Sequence, residues 1–157
     1  MKQNIKTIIL LNCLITFFAG SVSVASPGHS HGAHADIPAP NGGRMIDSVE
    51  PRMEFLLLED RHVQLSFIDD SGTVVAPSGQ TVSLVGGDRS NAVRVRFSQE
   101  GNVLRSDQAL PDIAGMPIIL QIKPAADSPT VREKFYLKTF TCSGCHLAEY
   151  ACTCGHE

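Results

Sequence analysis

Apolar and polar residues alternate along several short segments in the middle of the chain. From Val63 to Phe67, and again from Val93 to Phe97, every second residue is apolar and the residues between are polar or charged. Strict alternation is typical of strands with one buried and one solvated face. Turn-forming Gly, Pro, Asp and Asn residues separate the segments. The pattern predicts strands over residues 53–59, 62–68, 73–76, 81–85, 92–98, 103–106, 116–123 and 131–138.

This arrangement of strands predicts an all-β fold, an antiparallel β-sandwich of immunoglobulin-like type formed by residues 42–140. No segment keeps a 3.6-residue period, and there are no crossover helices to cover a parallel sheet, so a doubly wound α/β fold is not expected. About 100 residues suffice for one hydrophobic core. The side chains expected to face inward are Val63, Leu65, Phe67, Val82, Leu84, Val93, Val95, Phe97, Ile118, Leu120, Ile122, Phe135 and Leu137.

The N-terminal segment has the layout of a secretory signal peptide. Lys2 and Lys6 precede an apolar run over residues 8–19, and Ser23-Val24-Ala25 offers small residues at a cleavage site. The run of about 12 residues is shorter than the roughly 20 that a membrane span needs, although a retained anchor is the alternative. We expect residues 1–25 to be removed, which leaves a periplasmic or secreted protein without a membrane span.

Composition and charge narrow the class of function. The 157 residues carry a formal net charge of −3, which gives no indication of a nucleic-acid-binding surface. No H-E-x-x-H or phosphate-cradling glycine motif occurs. We therefore expect a protein that is not an enzyme. The five Cys and six His, which gather mainly at the two ends of the chain, carry the candidate chemistry.

Residues 26–41 are predicted to form a disordered linker rich in histidine. The linker holds His29, His31 and His34 among Ser, Gly, Ala and Pro, with little to bury. Neutral imidazole is a common ligand for Zn, Cu and Ni. Three imidazoles on a mobile chain would capture an ion weakly, because ordering the chain opposes binding. The alternative is a solvated linker whose histidines have no role.

Residues 141–157 are predicted to form a Cys- and His-rich C-terminal tail outside the sandwich, and this tail holds the strongest candidate ligands. The spacing is C-x2-C-H, with six residues between Cys145 and Cys152, and then C-x-C. Cysteine pairs at such spacing can hold a transition metal, and thiolates select Zn or Cu(I). Two alternatives stay open, which are covalent haem c at the C-x-x-C-H motif of Cys142, Cys145 and His146, and two disulfides. The candidate metal ligands of this segment are Cys142, Cys145, Cys152, Cys154, His146 and His156.

The N-terminal motif also suggests a family. The stretch with His29, His31 and His34, followed by Asn41-Gly42-Gly43-Arg44, resembles the His-rich opening of periplasmic adaptor proteins of heavy-metal efflux systems. The resemblance covers some 20 of the 157 residues. The chain lacks the helical hairpin of an adaptor and is therefore not one itself. The resemblance implies handling of ions such as Cu, Zn, Co or Ni, either by sequestration or by delivery to an efflux complex.

Overall fold

Nine β-strands and one turn of 3₁₀ helix make up the regular secondary structure of the described residues. The computed structural model describes residues 38–154, which belong to a unit running from Ala35 to Glu157. The predicted signal peptide and most of the predicted linker lie outside the described residues. The strands are β1 Arg44–Ile46, β2 Arg52–Leu57, β3 Val63–Ile68, β4 Val74–Val75, β5 Thr81–Gly86, β6 Val93–Glu100, β7 Val103–Ser106, β8 Met116–Lys123 and β9 Val131–Leu137, and the 3₁₀ helix is Glu149–Ala151.

All strand pairs are antiparallel, and together they nearly close into a barrel. The order across the sheet is β1-β2-β3-β7-β6-β5-β8-β9, with β4 beside β3. Strand β6 belongs to both halves of the sheet. Its residues 93–96 pair with β5 and its residues 97–100 pair with β7. The expectation of an all-β antiparallel fold is confirmed. Its immunoglobulin-like type is not confirmed by this strand order and stays a prediction.

The alternating residues build the core as the pattern predicts. Every side chain that was expected to face inward is buried or packs half-buried against the core. One part of the β3 prediction is wrong, because Ser66 lies on the face expected to be polar and is only 2% exposed. It pairs with Glu54 of β2, which is also buried. Alternation within one strand says nothing about what covers its outer face.

The buried carboxylate of Glu54 holds the turn that precedes β1. Its oxygens accept hydrogen bonds from the Asn41 amide (2.9 Å), the Asn41 side-chain Nδ2 (2.8 Å) and the Gly43 amide (2.8 Å). A Cβ atom at Gly43 would overlap the Phe55 carbonyl oxygen and lie 2.9 Å from Glu54 Cγ. Asn41 and Gly43 of the motif noted in the sequence are therefore needed for this turn, which positions β1 beside the C-terminal segment.

The gap between the first and last strands is filled by the C-terminal segment. Arg44 of β1 places its guanidinium 4.9 Å from the centre of the Phe135 ring of β9, and its Nη1 donates to the Tyr150 carbonyl oxygen at 3.2 Å. Tyr150 and Ala151 of the 3₁₀ helix are buried in the main core. The Phe55 ring packs edge-on against the rings of both Phe135 and Tyr150, at 5.1 and 5.8 Å. The cysteine-containing segment is thus attached to the barrel.

Candidate metal centre

After β9 the chain folds back on itself and carries the four cysteines. The Tyr150 amide donates to the Lys138 carbonyl oxygen and the Glu149 amide donates to the Phe140 carbonyl oxygen, both at 2.9 Å. An antiparallel bridge joins Thr141 to Ala148. These contacts form a narrow hairpin-like base, and the first two cysteines lie in the loop that it closes.

The loop from Cys142 to Leu147 is a tight turn around the first pair of cysteines. The Cys142 amide donates to the Leu147 carbonyl oxygen at 2.8 Å, and the His146 amide donates to the Cys142 carbonyl oxygen at 3.0 Å. His146 has φ of 61°, a left-handed conformation that closes the turn and in which His is enriched among non-glycine residues. This turn brings the side chains of Cys142 and Cys145 to the same side of the loop.

The second pair of cysteines follows the 3₁₀ helix directly. The Cys152 amide donates to the Glu149 carbonyl oxygen at 3.2 Å, which continues the helical turn up to the first ligand of this pair. Two residues later, the Cys154 amide donates to Cys152 Sγ at 3.3 Å. The position of the second pair therefore depends on the helix, and the helix is fixed by the burial of Tyr150 in the core.

The four sulfur atoms converge on one point. All lie within 4.8 Å of one another, and individual separations are 3.3 Å (Cys142 to Cys152), 3.7 Å (Cys145 to Cys152) and 4.0 Å (Cys142 to Cys154). Four thiolates about 2.3 Å from a tetrahedral zinc ion stand about 3.8 Å apart. The cluster therefore has the size of a site for one metal ion. No disulfide joins any of these four cysteines, which all lie in the described part of the chain.

The crowding of the sulfurs raises the pKa of two of the four thiols, Cys152 and Cys154. Contact with the Cys145 sulfur, then desolvation and the sulfurs of Cys152 and Cys142, raise the pKa of Cys154 to about 12. For Cys152, the hydrogen bond from the Cys154 amide lowers the pKa. The Cys142 sulfur, desolvation and the Cys145 sulfur outweigh that bond and raise the pKa overall. Negative charge is unfavourable in this cluster unless a cation compensates it.

The structure brings together four of the nine ligands predicted from the sequence. Cys142 is buried, Cys145 and Cys152 are half-buried, and Cys154 is exposed. His146 lies in the same loop but is exposed and is not part of the four-sulfur group. The remaining predicted ligands, which lie outside the described residues, are His29, His31, His34 and His156.

Sequence reasoning missed the residues that fix the cluster to the barrel. The Tyr150 amide donates to the Lys138 carbonyl oxygen, and the Tyr150 carbonyl oxygen accepts a hydrogen bond from Arg44. The Tyr150 ring packs on Phe55, and its hydroxyl accepts a hydrogen bond from the Leu57 amide at 3.1 Å. Burial, outweighing the hydrogen bond from Leu57, raises the pKa of the Tyr150 hydroxyl. Leu147 packs near Gly42, where an added Cβ would lie 3.4 Å from Leu147 Cδ2. The sequence feature that could have indicated this anchoring is the presence of two apolar side chains, Leu147 and Tyr150, among the candidate ligands.

Between residues 38 and 154, no helix has both the length and the apolar character that a membrane crossing requires. Comparison of the chain with protein-family models, with curated proteins and with solved structures finds no match in any of the three. The arrangement of the four sulfurs is therefore the main basis for assigning a function.

Proposed function

We propose that the protein binds one soft transition-metal ion, Zn²⁺ or Cu⁺, through Cys142, Cys145, Cys152 and Cys154. The convergence of the four sulfurs at separations close to those of a tetrahedral thiolate site carries this proposal. Thiolates prefer Zn²⁺ and Cu⁺ to Mg²⁺ or Ca²⁺. Four protein ligands leave no open coordination position for a substrate, so the proposed role is binding of the ion and not catalysis.

The same geometry favours a metal ion over the two alternatives from the sequence. Haem c would use Cys142 and Cys145 for attachment and His146 as an axial ligand, and it would leave the second cysteine pair without a role. In the structure, Cys145 and Cys152 place their sulfurs 3.7 Å apart. A single ion uses all four sulfurs, whereas each of two disulfides would pair only two of them.

The proposed biological role is sequestration of the ion outside the cytoplasm, or its delivery to a heavy-metal efflux complex. The predicted signal peptide and the resemblance of the N-terminal motif to efflux adaptors support this role. The exposure of Cys154 supports it as well, because a partner's ligand can approach an exposed sulfur and exchange the ion. The predicted histidine-rich linker would supply a weaker site from which the ion is collected.

Metal analysis of the reduced protein, purified without a tag, tests the metal site. We expect one tightly held Zn²⁺ or Cu⁺ per chain by native mass spectrometry, and a loss of tight binding in Cys142→Ser and Cys152→Ser. Matched controls are Ser143→Ala and Thr153→Ala, which change neighbouring exposed residues and should keep the ion. A variant lacking residues 26–37 should also keep it.

Three outcomes would contradict the proposal. Unchanged stoichiometry after replacement of all four cysteines by serine would remove the site. A Soret absorbance band that disappears in His146→Ala would indicate haem instead. An absence of titratable thiols in the protein isolated without metal, restored by reductant, would indicate that the cysteines serve as disulfides.

A further inference from the structure

The outer face of strands β6, β5, β8 and β9 carries a regular arrangement of cations. Paired residues of neighbouring antiparallel strands lie on the same face of the sheet. The strand register therefore defines two rows across four strands, each with a cation at either end. These rows are Arg94–Val85–Ile119–Lys134 and Arg96–Ser83–Gln121–Arg132.

The four terminal cations outline a rectangle around an uncharged centre. Neighbouring strands lie about 4.8 Å apart and alternate residues of a strand about 7 Å apart, which gives a rectangle of about 14 by 7 Å. All four cationic side chains are exposed. Tyr136, which is 64% exposed, continues the face beyond one row. Lys123 continues it beyond the other.

The cations of this face are not neutralised by acidic side chains in the described part of the chain. The salt bridges between residues 38 and 154 involve Arg52, Arg61, His62 and Arg105, all outside this face. Glu133 of β9 pairs with buried Leu120 and therefore lies on the inner side of the strand. Asp107 approaches the edge, where it accepts a hydrogen bond from the backbone amide of Arg96 at 3.0 Å. The chain carries a net charge of −3, so the cations of this face do not follow from the overall composition.

A depression opens on the same face between β5 and β8. Its volume is about 190 Å³. The hydroxyls of its lining can donate hydrogen bonds, and the ammonium group of Lys123 adds a positive charge, so the depression suits a carboxylate better than an apolar group. The lining residues are Thr81, Val82, Ser83, Gln121, Lys123 and Thr130.

We propose that this face is the docking surface for an acidic segment of a partner protein. One carboxylate of the segment occupies the depression at Lys123, and others pair with the guanidinium groups of Arg96 and Arg132. Arginine and tyrosine are, together with tryptophan, enriched among the residues that dominate binding at protein interfaces, and guanidinium binds carboxylate in a bidentate manner. A protruding side chain can fill a depression between strands, whereas a flat layer of lipid headgroups cannot. The depression therefore suits a protein better than an anionic membrane, and this face is separate from the metal site.

Binding of a fluorescent ten-residue peptide of alternating Glu and Val, compared with a peptide of alternating Gln and Val, tests this surface by anisotropy. We expect the full-length protein to bind the Glu peptide at low ionic strength and to lose affinity as salt is added. Arg96→Glu and Arg132→Glu should each weaken binding by about tenfold or more. The double change Gln99→Glu with Asn102→Glu is the matched control, because it adds the same charge at exposed positions near the β6–β7 turn.

Circular dichroism and urea unfolding should show that all of these variants fold. Cys152→Ser should bind the peptide as the parent protein does, which separates this proposal from the metal site. Equal affinity for the Glu and Gln peptides, or equal weakening by the control, would overturn the proposal. So would binding to phosphatidylglycerol vesicles, lost in Arg132→Glu, without binding of the Glu peptide, because the face would then recognise a lipid surface.

Discussion

The Tyr150 hydroxyl accepts a hydrogen bond of 3.1 Å from the backbone amide of Leu57. This bond attaches the segment that carries the cysteines to β2, on the opposite side of the gap from β9. The Tyr150 ring packs edge-on against Phe55 of the same strand. The position of the sulfur cluster therefore depends on contacts made far from it in sequence.

Replacing Tyr150 with Phe should destabilise the protein, because the Leu57 amide loses its hydrogen-bond acceptor. The ring contact with Phe55 remains, so the change isolates this hydrogen bond. We expect the free energy of unfolding to fall by about 1–2 kcal/mol, measured by urea denaturation of the reduced protein in the presence of a chelator. Tyr136→Phe is the matched control, since Tyr136 is 64% exposed. Equal stability of the Tyr150→Phe variant and the parent would show that this bond contributes nothing.

Replacing Arg44 with Lys should weaken closure of the gap between β1 and β9. Lysine keeps the charge but lacks the planar guanidinium that stacks on Phe135 and donates to the Tyr150 carbonyl oxygen. We expect a loss of about 1 kcal/mol in the free energy of unfolding and a weaker affinity for Zn²⁺. Arg89→Lys, at an exposed position, serves as the control. An unchanged affinity together with reduced stability would mean that the cluster forms without this contact.

Replacing Glu54 with Gln should disturb the turn before β1. The carboxylate accepts three N–H hydrogen bonds, and an amide would direct an NH₂ group at one of these donors. Because Glu54 is fully buried, we expect a loss of about 1.5–3 kcal/mol in thermal or urea unfolding. Glu59→Gln, at an exposed position, should leave stability nearly unchanged. A similar effect in both variants would contradict the role assigned to Glu54.

The stability of the metal-free protein should depend on alkaline pH. The pKa of Cys154 is raised from 9.0 to about 12, so the folded state keeps a proton that the unfolded chain has lost. By linkage, the free energy of unfolding should decrease as pH rises from about 9 towards 12. Urea unfolding of the reduced protein over this range measures the slope. The slope should be smaller in Cys154→Ser, and an equal slope in that variant would exclude this thiol as its source.

The affinity of the protein for the metal ion should decrease as pH falls, whereas the stability of the metal-free protein should decrease as pH rises. Binding of an ion requires thiolates and therefore releases protons, so affinity should fall as pH decreases. A competition titration with a chelator at several pH values, corrected for protonation of the chelator, measures the effect. The pH dependence should be shallower when one ligand is removed in Cys145→Ser. An affinity for Zn²⁺ that does not change with pH would contradict thiolate ligation.

The local alternation of side chains determined most of the strands and their inner faces. The prediction for residues 116–123 agrees with β8 at both ends, and the predicted inward positions of β5 and β6 are buried or half-buried. These features follow from a period of two, which any strand with one buried face must show. The spacing of the cysteines likewise indicated a metal site, because short spacers keep the members of each pair close together.

Only the tertiary structure decided which elements meet. The three residues of β1 are too few to show a period, and the buried carboxylate of Glu54 is held by a turn from another part of the chain. The convergence of the two cysteine pairs depends on Tyr150, whose partners lie in β1 and β2. Such contacts arise from packing between distant segments, and the pattern of residues within one segment does not contain them.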